Sequence, residues 1–155
     1  MRQISVKQSP KCDVLFDGYF LKALRDNGID IYAASGTDHC DVVSECKALG
    51  LYTYFKKIAG APDKVADCSK EAVIKDLIEN SGFSGEQLMV VGDGKVEIAL
   101  GKAAGAFAVG VASDEEKRRG INSVKERRLK AAGADLIIGD FSNLDELMER
   151  VENGR

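Results

Sequence analysis

The sequence predicts a three-layer α/β/α domain with a mostly parallel central sheet. Short apolar runs alternate with helical patterns along the chain, which is typical of parallel strands joined by crossover helices. The 155 residues suit one domain, and apolar residues make up 45% of them, enough for a sizeable core. No internal repeat or strong boundary divides the chain. We therefore expect a single domain over residues 1–155.

The first predicted unit is a short helix between two strands. Leu21 and Leu24 lie on one face of a helix at 19–27, and Gly28 ends it before the apolar run at 29–34. The strand that precedes this helix has two candidates in the sequence, 14–16 and 4–6. A parallel sheet needs one of them at its centre.

The remaining elements follow in regular alternation. A helix at 38–49 is closed by Gly50, and Ser69 is a plausible N-cap for a helix that runs to Asn80. The further predicted strands lie at 56–60, 88–91, 107–111 and 134–138. The further predicted helices lie at 96–104, within 113–132 and at 143–152.

Composition and charge argue against several classes of partner. The net charge is −3, with 22 basic and 25 acidic residues, so no overall positive field attracts a nucleic acid. The basic residues between Lys117 and Lys130 alternate with acids and indicate a solvated helix face. The sequence has no apolar run long enough to predict a membrane-spanning segment. Four cysteines without a C-x-x-C pair indicate reduced thiols and a cytoplasmic protein.

Polar residues that follow predicted strands are the candidates for chemistry. In doubly wound sheets, ligands bind outside the carboxyl ends of the strands. Four residues occupy such positions: Asp17, Ser35, Asp93 and Asp140. The only histidine, His39, stands near a helix start, where a surface role is expected.

The segment after the strand at 88–91 carries two acidic residues at helical spacing. Asp93 ends the strand between two glycines, and Glu97 lies one helical turn further on. Carboxylate oxygens are preferred ligands of hard cations, so the spacing favours an Mg²⁺ site. The alternative is a turn carboxylate followed by a solvated acid near a helix N-terminus.

These segments resemble motifs of the haloacid dehalogenase superfamily of phosphohydrolases. The run GDGKVEIALGKAAGAFAVGVAS at 92–113 looks like the fourth motif, whose acidic residues hold Mg²⁺. YAASGT at 32–37 resembles the second motif, with Ser35 as the phosphoryl-binding hydroxyl and Gly36 and Thr37 beside it. Lys70 in CSKEAVIKDLI takes the place of the third-motif lysine. The resemblance implies the Rossmann-like fold of that family and a phosphatase acting on a small phosphorylated metabolite.

The first motif departs from the family pattern. VLFDGYF at 14–20 supplies Asp17 as the nucleophile and a further metal ligand by resemblance, but Tyr19 replaces the second Asp. Such an Asp17 would form an aspartyl-phosphate that water then hydrolyses. If the run at 4–6 is the central strand instead, Lys7 or Gln8 stands at the nucleophile position.

The departure in the first motif allows two other interpretations of the function of the chain. The chain could be a catalytically degenerate domain that binds a cation, a phosphate or a protein partner without turnover, or a truncated product. Too few residues separate Asp17 from Ser35, or Thr37 from Pro62, to hold a large cap domain. The predicted site is therefore open, and either a second subunit of a homo-oligomer covers it or the substrate is large.

Overall fold

The computed structural model describes residues 3–6, 18–62 and 69–153 and shows a parallel sheet between two helical layers. The strands are β1 Gln3–Val6, β2 Asp30–Asp38, β3 Lys57–Ala61, β4 Leu88–Gly92, β5 Phe107–Val111 and β6 Leu136–Ile138. The helices are α1 Gly18–Asp26, α2 His39–Ala48, α3 Lys70–Glu79, α4 Lys95–Ala103, α5 Ser123–Ala131 and α6 Leu144–Asn153. The sheet order is β3-β2-β1-β4-β5-β6. The predicted fold class is confirmed.

Alternate residues of each strand face opposite helical layers, as expected for a sheet that is buried on both sides. On one face, side chains of the sheet pack with α1, α2 and α6. The residues of this layer include Leu24, Ile31, Ala33, Val42, Met89, Val109 and Val151. The opposite face packs with α3, α4 and α5. Its residues include Tyr32, Ala34, Ile74, Leu77, Ile98, Ala108 and Leu129.

Strand β1 occupies the centre of the sheet. Val6 pairs with Ala33 of β2 on one side and with Val91 of β4 on the other. Of the two candidate strands, the run at 4–6 therefore takes the central position. The other candidate, residues 14–16, lies outside the described residues. Because all strands are parallel, the residues that follow β2 and β4 flank the carboxyl end of β1.

Strand β2 continues four residues beyond the predicted end. Ala34 pairs with Ala59 and Asp38 pairs with Ala61, so four positions along β2 oppose two along β3. The residues in between leave the regular ladder, as in a β-bulge. Gly60 makes this arrangement possible, because a Cβ there would lie 2.6 Å from the Cα of His39. The backbone at Thr37 and His39 therefore lies directly against Gly60 of β3, just where α2 begins.

Helix positions agree with the sequence patterns to within a few residues at each end. Ser69 caps α3 as predicted, and its side chain accepts a hydrogen bond from the backbone N–H of Ala72. Helix α5 lies inside the segment where the sequence predicts a loop and a helix. No helix in the described ranges has both the length and the apolar character needed to span a bilayer.

Candidate active site

The second-motif segment lies at the carboxyl end of β2. Ser35 is buried, and its hydroxyl oxygen accepts a hydrogen bond from the backbone N–H of Thr37 at 3.1 Å. This bond lies within the irregular end of β2 and leaves the hydroxyl hydrogen able to donate to a second acceptor. Gly36 and Thr37 are exposed. The segment therefore presents a hydroxyl and accessible backbone at the sheet edge.

Glu97 lies over the turn that joins β4 to α4. Its side chain is 3% exposed, and its Oε1 accepts a hydrogen bond from the backbone N–H of Gly94 at 2.9 Å. A glutamate three residues after the N-cap commonly reaches back in this way to satisfy a free helix N–H group. The sequence spacing of Gly94 and Glu97 contains this signal.

Two glycines make the room that Glu97 occupies. A Cβ on Gly92 would lie 2.3 Å from Glu97 Cγ, and a Cβ on Gly94 would lie 2.8 Å from Glu97 Oε2. Side chains are almost never found at such short separations, so neither position accepts a larger residue without displacing the glutamate. The Gly-Asp-Gly run thus shapes a pocket for a carboxylate.

Lys70 joins the second-motif and fourth-motif segments. Its ammonium Nζ lies 2.6 Å from Glu97 Oε2, and its side chain is 22% exposed. Its Cβ would be 3.0 Å from a Cβ added to Gly36, so the start of α3 packs directly against the segment after β2. Three of the predicted site segments therefore meet at one edge of the sheet.

The ion pair determines the protonation state of Glu97. Burial by itself raises the pKa of this carboxyl group, but the Lys70 ammonium and the backbone N–H groups of Gly94 and Glu97 outweigh burial and hold the pKa below its ordinary value. Glu97 is therefore a carboxylate throughout the neutral range. It keeps a cation, Lys70, at the place where a phosphoryl group is expected to bind.

Asp93 stands at the end of β4, half-buried, beside this ion pair. Within the described ranges its carboxylate has no hydrogen-bond or ion-pair partner. Its backbone carbonyl accepts a hydrogen bond from Arg128 Nη2 of α5 at 3.4 Å. No local spacing links Arg128 to the turn after β4, so its position in the sequence does not indicate a site residue.

The described carboxylates give a partial fit to a metal ion. Mg²⁺ prefers oxygen ligands, and the Asp93 carboxylate offers them at the sheet edge. Both Glu97 oxygens already have partners, although a carboxylate oxygen has a second lone pair for a further contact. No group of three His, Cys, Asp or Glu side chains close enough to hold a metal occurs among the described residues. Asp17, the third predicted ligand, lies outside them.

Asp140 is not part of this site. It lines a separate cavity between β6 and α6, together with Ile121, Ile138 and Leu147. Its carboxylate accepts hydrogen bonds from the backbone and side chain of Ser142, and these bonds lower its pKa. His39 is exposed at the first residue of α2.

Sequence comparison agrees with this geometry. The sequence pattern of the haloacid dehalogenase-like hydrolases matches residues 10–105, which is more than half of the chain. The chain belongs to this family. The matched region begins after β1 and contains Asp17, Ser35, Lys70 and both acidic residues of the fourth motif. It thus includes every residue that the four motifs assign to the site of this haloacid dehalogenase-like hydrolase, and only the candidate Asp140 lies outside it.

Solved structures of bacterial proteins share the fold. A predicted phosphatase from Clostridium acetobutylicum has a TM-score of 0.69 and 22% sequence identity to this chain. The match covers 89% of this chain and 60% of the phosphatase. A predicted phosphoglycolate phosphatase from Haemophilus somnus has a TM-score of 0.64 and 20% sequence identity, and the match covers 84% of this chain and 55% of that protein. A haloacid dehalogenase-like hydrolase from Streptococcus pneumoniae has a TM-score of 0.63 and 18% sequence identity, and the match covers 84% of this chain and 56% of that protein.

The chain is thus matched to between 55% and 60% of the length of these three proteins. At these identities the likeness establishes the fold and carries no information on the substrate. No curated protein sequence matches the chain.

Proposed function

We propose that this haloacid dehalogenase-like hydrolase is an Mg²⁺-dependent phosphatase that acts on a small phosphomonoester in the cytoplasm. The observation that carries the proposal is the Lys70–Glu97 ion pair, with the start of α3 at Lys70 packed against Gly36 at the carboxyl edge of the sheet. A buried carboxylate that fixes a lysine next to the segment of a serine hydroxyl is suited to binding a phosphoryl group.

Each described residue has a part in this proposal. Ser35 donates a hydrogen bond to a phosphoryl oxygen, while the backbone of Gly36 and Thr37 binds the same group. Lys70 offsets the negative charge of the phosphoryl oxygens, and Glu97 holds the lysine in place. Asp93 is the leading candidate for a metal ligand, with Glu97 and Asp17 as further ligands. Bound Mg²⁺ would neutralise charge that develops on the transferring group.

With β1 at the centre of the sheet, Lys7 or Gln8 follows the central strand at the position where the family has its nucleophile. Neither side chain carries a carboxylate, so the proposed nucleophile is Asp17, the acidic residue that the first-motif resemblance assigns. It directly precedes Gly18, and α1 begins at the carboxyl edge of the sheet because this helix connects the end of β1 to the start of β2. Its carboxylate would attack phosphorus, and the bond from phosphorus to the leaving oxygen would break. Water would then cleave the aspartyl-phosphate to release inorganic phosphate. Since Tyr19 stands where the family has a second Asp, the leaving oxygen would take its proton from solvent.

The test is hydrolysis of p-nitrophenyl phosphate in the presence of Mg²⁺ and after its removal with EDTA. We expect turnover that EDTA abolishes, and a loss of about a hundredfold or more in Asp93→Asn, Asp17→Asn and Lys70→Ala. Asp76→Asn is the matched control, because Asp76 is exposed on α3 and faces away from the core. Turnover that is unaffected by Asp93→Asn would overturn the assignment of the metal site.

A further inference from the structure

Helix α5 carries four basic residues, and two of them, Lys125 and Lys130, pair with nearby acids. Lys125 Nζ lies 2.7 Å from Glu115, and Lys130 Nζ lies 2.7 Å from Glu126. These pairs confirm the predicted solvated, charge-alternating face. Pairs of this kind at the surface contribute little to stability and leave little charge for a ligand.

Arg128 differs from Arg127, which bonds a carbonyl of its own helix, because it reaches another part of the fold. It is exposed, no acid partners it within the described ranges, and its Nη2 reaches across to the backbone carbonyl of Asp93 at 3.4 Å. Asp93 follows β4 at the carboxyl edge, so the guanidinium lies at the rim of the candidate active site. A guanidinium has five N–H donors in a planar fork, and a single long bond to a carbonyl leaves most of them available.

Lys95 adds a second positive charge close to Asp93 along the chain. It is the first residue of α4, two positions after Asp93, and it is exposed. Lys70 is already paired with Glu97. Arg128, through its bond to the Asp93 carbonyl, and Lys95, two residues after Asp93, therefore add positive charge near the turn after β4.

We propose that Arg128 is a specificity-determining residue that binds a second anionic group of the substrate, such as a carboxylate. This inference rests on the proposed phosphatase function of the same site. The planar fork of an arginine matches the two oxygens of a carboxylate, and such charge-assisted bonds are stronger than neutral ones. The preferred substrates are then small phosphomonoesters with a carboxylate a few bonds from the phosphate.

The test compares two substrates that differ only in this group. 3-Phosphoglycerate carries a carboxylate, and glycerol 3-phosphate carries a hydroxymethyl group at the same carbon. We expect the Arg128→Ala variant to raise the KM for 3-phosphoglycerate about tenfold, the effect of one charge-assisted hydrogen bond. The KM for glycerol 3-phosphate is expected to stay within about twofold. Arg127→Ala is the matched control, because Arg127 bonds the carbonyl of Ser123 in its own helix.

The outcomes separate this inference from the function on which it rests. An equal loss for both substrates in Arg128→Ala would mean that Arg128 only holds the turn of Asp93, and no loss for either would mean that it is a solvated cation. Either result would overturn the inference while hydrolysis of p-nitrophenyl phosphate continues.

If the wild-type protein hydrolyses no phosphoester, the proposed function fails, and calorimetric binding of the same two compounds in the presence of Mg²⁺ takes the place of kinetics. Tighter binding of 3-phosphoglycerate that Arg128→Ala removes would still support the inference. Equal binding of the two compounds by the wild-type protein would contradict it.

Discussion

At the scale of single residues, the site depends on two glycines as much as on its charged groups. Gly92 and Gly94 leave the space that the Glu97 side chain fills, and Glu97 in turn holds Lys70. The glycines have this effect because they lack a Cβ, which lets the buried carboxylate approach the backbone. Changes at these positions should therefore act on the site through Glu97.

Gly92→Ala is expected to lower the free energy of unfolding by about 1–3 kcal/mol, the usual cost of overpacking a core. The added methyl group would lie 2.3 Å from Glu97 Cγ and must displace it. Chemical denaturation measures the change. Gly18→Ala is the control, since a Cβ there meets nothing within 4 Å. Equal stability of Gly92→Ala and the wild-type protein would show that Glu97 has more room than the structure gives it.

The lowered pKa of Glu97 predicts that part of the fall in the free energy of unfolding at acid pH comes from this residue. Because the folded protein binds the Glu97 proton more weakly than the unfolded chain does, the Lys70–Glu97 pair stabilises the fold fully above the ordinary glutamate pKa. This stabilisation is lost as the pH falls through the lowered pKa of the folded state.

We expect Glu97→Gln to flatten the acid side of the curve of unfolding free energy against pH, because an amide does not titrate. Denaturation at a series of pH values below 6 measures this, with Glu86→Gln, a change at an exposed glutamate, as the control. A Glu97→Gln variant with the wild-type slope would contradict the assigned direction of the pKa shift.

The sequence predicted the residue types of the site more completely than their contacts. The spacing of Asp93 and Glu97 predicted two acids on one side of a turn, and both lie at that edge. Local spacing could not show that Glu97 binds Lys70, because that contact depends on where α3 packs against β2. For the same reason, Arg128 could not be linked to Asp93 from sequence.

At the scale of elements, the N-terminus of α3 positions the lysine of the site. Ser69 accepts the backbone N–H of Ala72 at 3.2 Å, and Lys70 is the next residue. Valine, isoleucine and leucine at helical spacing then bury the helix against β2. The cap of α3 at Ser69 was predicted correctly from the sequence.

Ser69→Ala is expected to cost about 1 kcal/mol of stability, because the first turn of α3 loses a side-chain acceptor for a backbone N–H. Ser69→Asp should keep most of the stability, since a carboxylate caps the same group and interacts favourably with the helix N-terminus. Thermal unfolding of the two variants measures the difference. Equal losses in both would mean that the hydroxyl has another role.

The end of β2 is the element that the sequence predicted least well. The pattern of apolar residues ends at Ala34, and the small polar residues that follow it resemble a turn. The strand continues because Gly60 in β3 permits close approach of the chain at Thr37 and His39. That fit between two strands is a tertiary property, which hydrophobic periodicity does not record.

At the scale of the whole molecule, the alternation of strands and helices was enough to predict the doubly wound sheet. The pattern left open which segment fills the centre. Both 4–6 and 14–16 are short apolar runs, and only pairing with β2 and β4 distinguishes them. The structure places Gln3–Val6 there, so the segment from Lys7 to Asp17 joins the central strand to α1. Asp17 as nucleophile stays a prediction.

A site without a large cap domain over it also stays a prediction. The chain is matched to between 55% and 60% of the length of the three solved proteins described above. A site without a cap would bind its substrate through rim residues such as Arg128, or through a second subunit.

The most direct test of the central claim is thermal unfolding with Mg²⁺ and beryllofluoride, which mimics a phosphoryl group on an aspartate. At 100 times its dissociation constant, a ligand adds about 2.7 kcal/mol of stability. We predict an upward shift of the unfolding temperature that requires both Mg²⁺ and beryllofluoride and is lost in Asp17→Asn and in Asp93→Asn. No shift with the two together, or an equal shift in the Asp17→Asn variant, would contradict a phosphoryl-transfer site built on these residues.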